Sequence, residues 1–132
     1  MCANEFESAK NKGEFFEYTI HNGNYYGTSR SAVEYQQANG KIPILNIDVH
    51  GADKLKRDTS LAMRYIFIEP DTWEVENTLL ARGVGEQEIR NKLARAKVDV
   101  QSAWESGSVD IHIINDIPEM AYARLLDFLF GR

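Results

Sequence analysis

A single cysteine, Cys2, leaves the 132-residue chain unable to close a disulfide within itself. Basic residues are also short. Fifteen Lys and Arg stand against 20 Asp and Glu, a formal charge of −5. Dedicated nucleic-acid binders neutralise phosphates with clustered Lys and Arg, so no nucleic acid is expected as a partner, and any nucleotide ligand should be small and held locally. No apolar run approaches the roughly 20 residues that a membrane helix requires, so no membrane partner is expected. The opening MCANEFESAKNKGEFFEY has no apolar stretch of the signal-peptide kind. Together these absences predict a soluble protein of a reducing compartment, most simply the cytoplasm.

What is present suits one modest core. A hydrophobic content of 43% over this length predicts a single domain, 1–132. Asn4 reads as an N-cap and residues 5–12 as a short helix closed by Gly13. Residues 14–20 and 24–28 read as strands around His21-Asn22-Gly23, because an Asn-Gly pair between aromatic and β-branched residues signals a hairpin. A helix is expected over 29–39, ended by Gly40. Residues 42–49 (IPILNIDV) are apolar nearly throughout, which predicts a parallel strand covered on both faces. Residues 65–68 (YIFI) and 111–114 (IHII) share the pattern. Helices are expected over about 72–82 and 86–104, separated by Gly83 to Gly85, and a last helix carries Pro118 in its first turn. Strands alternating with helices predict an α/β domain with a mainly parallel sheet.

The strand ends are more informative than the strand middles. Asp48, Glu69, Asp71, Asn115 and Asp116 fall at or just beyond them. Ligands of open parallel sheets bind at the carboxyl ends of strands. The competing reading is that these residues are helix caps and turn formers, a common use of Asp and Asn. Glu17 has a similar alternative as an exposed strand carboxylate, Tyr25 and Tyr26 as surface packing of a hairpin, and Arg90, Arg95 and Lys97 as a solvated helix face.

Taken in order, GEFFEY, GNYYGTSRSAV, ILNIDVHG, YIFIEP, LLARG, HIIND and AYARL resemble the guanylate kinase family over nearly the whole chain. The resemblance implies a P-loop NTPase type of α/β fold. It would have a parallel sheet flanked by helices, a GMP-binding β region over about 14–28 and a mobile helical lid over about 82–104. It also implies transfer of a phosphoryl group from ATP to GMP with Mg²⁺. By the same resemblance Glu17 accepts from the guanine edge, Thr28 bonds the base, Tyr26 reaches the GMP phosphate and Asp48 is the acidic residue at a strand end. Arg82 matches the first lid arginine, Lys92 stands at another lid position, and Asn115 matches the asparagine near adenine. The guanine role suits a carboxylate chemically, since an ionised carboxyl is a fork of acceptors and guanine presents paired N–H donors.

Departures from the family pattern are equally specific. The family's GxxxxGK[ST] loop is not found in these residues; the one Gly-Lys pair, Gly40-Lys41, is followed by Ile42 and has Tyr35 where the first glycine would stand. Asn46 replaces an acidic residue and His50 a glutamine. The lid segment RGVGEQEIRNKL is one residue short, with Lys92 in the place of an arginine, and Lys does not reproduce the planar fork of Arg. Phosphoryl transfer depends on positioning and charge neutralisation, so these residues alone are expected to give no measurable turnover. A segment or second chain supplying the loop would be a partner. The alternatives are a non-catalytic module that binds GMP or a protein ligand, and a relic with no activity. With the loop strand missing from the sheet, residues 42–48 are expected to pair directly with 65–68, to take a strand from a partner, or to leave the fold poorly stable.

Overall fold

The computed structural model describes residues 2–58, 62–107 and 109–131. They fall into two compact units, Met1–Ala62 and Met63–Arg132.

The first unit opens with helix α1, Ala3–Asn11. Its N-cap is Cys2 and not the expected Asn4, because Glu5 reaches back and accepts the Cys2 backbone N–H at 2.8 Å, which satisfies a donor that the helix itself leaves open. Strands β1, Phe15–His21, and β2, Asn24–Ser29, form the antiparallel hairpin. The Asn22-Gly23 turn has φ of +50° and +76°, the left-handed pair of a type I′ turn, and this is why Asn-Gly at that place signals a hairpin. Helix α2, Arg30–Ala38, starts where the Ser29 hydroxyl accepts the Ala32 N–H. Phe6 of α1 stacks on Phe15 with ring centroids 4.6 Å apart and lies tilted against Tyr25, closing one face of the hairpin.

The largest difference from expectation lies at residues 42–49. They form no strand, and Ile42 and Ile44 stand 72% and 80% exposed. A strand exists only where a neighbour takes up its N–H and C=O groups, and no described strand pairs with this run. The run ends in helix α3, Val49–Lys56, which the apolar pattern concealed. Asp48 caps it, accepting the Gly51 N–H at 2.7 Å, and Leu55 of α3 is only 1% exposed.

The second unit holds strand β3, Ile66–Pro70, and strand β4, Ile111–Asn115, paired in parallel from Ile66↔Ile111 to Pro70↔Asn115. Parallel neighbours require a long crossover. It is made here by α4, Thr72–Ala81, and α5, Glu86–Ser106. Helix α6, Pro118–Phe130, follows β4 and packs on it, with Ile113 fully buried. Trp104 of α5 stacks on His112 at 3.7 Å with the rings 8° from parallel. The described hydrogen-bonded neighbour of β3 is β4. Asp71 caps α4 by accepting the Trp73 N–H at 3.1 Å, and Asp116 accepts the Ile117 N–H at 2.7 Å. For Asp71 and Asp48 the capping alternative describes the local geometry, whereas Asp116 stands one residue before the α6 N-cap, Ile117.

Candidate functional site

The antiparallel register places Thr28 opposite Glu17 and Tyr26 opposite Thr19, so these four side chains share one face of the hairpin. The opposite face meets α1. A bulge between Phe15 and Glu17 breaks the regular pairing. Phe16 and Glu17 are both buried although they are consecutive, which a regular strand allows only when both its faces are covered.

Glu17 is 7% exposed and is the one buried charged side chain among the described residues. The solvated alternative for it is therefore set aside. A carboxylate withdrawn from water needs donors to offset its lost hydration. One is the Thr28 hydroxyl, which donates to Glu17 Oε1 at 2.7 Å. That fills one of about four acceptor positions that an ionised carboxyl offers.

The cover over Glu17 comes from α3, which packs on β1. Gly51, in the first turn of that helix, is buried, and a Cβ built on it would lie 3.2 Å from both Glu17 Oε2 and Asp48 Oδ1. Glu17 and Asp48, both named by the family resemblance, thus meet at one glycine of the first unit, with Thr28 bonded to Glu17. Asp48 is exposed and spends Oδ1 on its cap bond. Lys54, further along α3, donates to the Tyr18 carbonyl at 2.8 Å and fastens the helix to β1. Arg30 ties the other end of the hairpin, donating to the Gly13 carbonyl at 3.1 Å and pairing with Asp58 at 2.7 Å.

Tyr26 is on the same face as Glu17 but is 51% exposed. Next to this face is an open hollow of about 440 Å³, lined by Thr28, Ser29, Val33, Gln36 and the run from Lys41 to Leu45. It is bordered by the same apolar residues that lack a strand partner.

The remaining sequence candidates lie in the second unit. Arg82 is the exposed C-cap of α4. Lys92 is exposed on α5, with Nζ 3.8 Å from Glu88. Asn115 is exposed at the carboxyl end of β4, opposite Pro70. The structure holds none of these three in a buried network. Among the described residues no three His, Cys, Asp or Glu side chains gather where they could hold a metal ion, and no helix is long and apolar enough to cross a membrane.

Gly51 was not singled out by the sequence reading. Its signal was a glycine three residues after Asp48 and inside a helix, where Gly costs roughly 0.8–1.0 kcal/mol relative to Ala. The apolar pattern of 42–49 hid the helix, and the glycine with it.

Comparison with known proteins gives a consistent result. The guanylate kinase family profile matches residues 1–131. A guanylate kinase of Sus scrofa is 39% identical over 119 residues, covering 89% of this chain and 60% of that protein. A guanylate kinase of Nostoc sp. is 37% identical over 132 residues, covering 99% of this chain and 65% of that protein. The crystal structure of guanylate kinase from Anaplasma phagocytophilum superposes with a TM-score of 0.67 at 24% identity, covering 99% of this chain and 62% of that one, a likeness of fold. The chain therefore spans less than two thirds of the length of these relatives.

Proposed function

The chain belongs to the guanylate kinase family, and from that premise we propose that its first unit recognises the guanine base of GMP and that these 132 residues bind the nucleotide without turning it over. The observation that carries the reading is Glu17, a buried carboxylate with spare acceptor capacity beside the Thr28 hydroxyl. Guanine offers N1–H and a 2-amino group side by side, a pair of donors that one carboxylate can accept together. Tyr26, exposed on the same face, is available to the phosphate of the same ligand. Asp48 supports the arrangement by capping the helix that covers Glu17.

The family reaction would convert ATP and GMP to ADP and GDP with Mg²⁺. The present residues do not fit a triphosphate: they contain no GxxxxGK[ST] loop, and no acidic cluster for a cation gathers among those described. Arg82, Lys92 and Asn115 are the chain's candidates for the lid and the adenine side, and they stand exposed. Phosphoryl transfer is then a property of this chain joined by a loop-bearing segment or partner chain. The exposed apolar residues Ile42 and Ile44 support such a missing neighbour.

Calorimetry with GMP tests the binding reading. Saturable binding is expected, and Glu17→Ala should weaken it about tenfold or more; no binding by the unaltered chain overturns the proposal. A coupled assay for GDP formation, run with and without a peptide carrying the family loop, tests the rest. Turnover by the 132 residues alone would contradict the division of labour. A second reading, a non-catalytic module for GMP or a protein ligand, gains if GMP binds but no peptide restores turnover.

A further inference from the structure

We propose that Gly51 is a positioning residue for guanine discrimination: its missing side chain lets the first turn of α3 close on Glu17 and fixes where that carboxylate stands. The inference rests on the guanine reading of Glu17 given above. Three observations carry it. First, a Cβ at position 51 would lie 3.2 Å from Glu17 Oε2, 3.2 Å from Asp48 Oδ1 and 3.4 Å from Ile47 Cβ, so the space is closed on three sides. Second, those neighbours have little freedom to retreat. Asp48 Oδ1 is bonded to the Gly51 N–H itself at 2.7 Å, and Glu17 is buried and held by Thr28 at 2.7 Å. Third, the backbone does not call for glycine, since Gly51 is not among the glycines with positive φ. A helix ordinarily favours Ala at such a place. Space against Glu17 is the reason that remains.

An alanine methyl would therefore move the Glu17 carboxylate by a few tenths of an ångström or turn it. The two oxygens must meet two donors at once, and hydrogen bonds weaken steeply with misalignment. The 2-amino group is what separates guanine from hypoxanthine, so the loss should fall on GMP far more than on inosine monophosphate, which lacks that group.

The experiment measures binding of GMP and of inosine monophosphate to the full chain by calorimetry, with thermal melts alongside. In Gly51→Ala the preference for GMP should fall on the order of tenfold, the loss of one hydrogen bond to a charged group, while the melting temperature holds or rises. In a Glu17→Ala background the same substitution should leave the ratio within about twofold, as expected of a residue acting only through Glu17. A Gly51→Ala protein with the preference intact overturns the Gly51 inference alone. An unaltered chain that does not prefer GMP overturns the guanine reading and this inference with it. Loss of cooperative melting in Gly51→Ala that Glu17→Asp, one methylene shorter, does not repair would assign Gly51 to the core and not to recognition.

Discussion

In the first unit Glu17, Thr28 and Asp48 are bonded into the structure, while the candidates of the second stand exposed. Glu17 is buried against Gly51 and bonded to Thr28, and Asp48 holds the helix that covers it. Arg82, Lys92 and Asn115 occupy a helix end, a solvated helix face and a strand end. The difference teaches where ordering has been done before any ligand arrives. A base edge is small and rigid, and a fixed carboxylate reads it without further ordering cost. Long cationic side chains gain little from being held in water, and a phosphate can organise them on arrival.

That contrast can be broken or sharpened in steps. The largest effects should come from the best-buried side chain of each unit. Leu55→Ala and Ile113→Ala, at 1% and 0% exposure, should each cost roughly 2–5 kcal/mol in urea unfolding. Native-state hydrogen exchange should show the first weakening protection in Met1–Ala62 and the second in Met63–Arg132; equal loss in both would show that the units unfold as one. Next, Thr28→Val removes the donor from a buried carboxylate and should cost about 1.5–3 kcal/mol of stability and weaken GMP binding. A neutral result would mean the first unit is no better ordered than the second.

Smaller effects should mark the second unit. Arg82→Ala and Lys92→Ala should each change stability by no more than about 0.5 kcal/mol, because the Lys92 to Glu88 pair is solvent-exposed. A larger change in thermal melts would place them in the fold. The smallest effect concerns the start of the first unit. The Cys2 backbone N–H bonded to Glu5 lowers the Glu5 pKa below its ordinary 4.5. The folded value being the lower one, this contribution is present above the ordinary value and is lost as pH falls through the folded value. Amide shifts of α1 followed by NMR in acid should show that helix fraying first within its unit.

Much of the fold was legible because it depends on near neighbours in sequence. The Asn22-Gly23 turn, helix α2, Pro118 in the first turn of α6 and the parallel strands β3 and β4 all lie close to where the pattern put them. The bulge before Glu17 was not legible, since register is a property of two strands together. Residues 42–49 misled for the same reason. Their composition suits a covered strand, but covering and pairing must come from elsewhere, and without them the run stays in solvent and ends as α3. The guanylate kinase motifs named Glu17, Thr28 and Asp48 but not the glycine between them.

By itself the sequence determined the hairpin turn, the approximate extents of most helices and the family, because each is settled by interactions a few residues apart or by the identity of the residues alone. Only the tertiary structure decided that Glu17 is buried, that the apolar run is no strand and leads into α3, and that Gly51 lies against two carboxylates. Those outcomes depend on which distant surfaces meet, and burial, pairing and close approach are properties of the meeting and not of either partner.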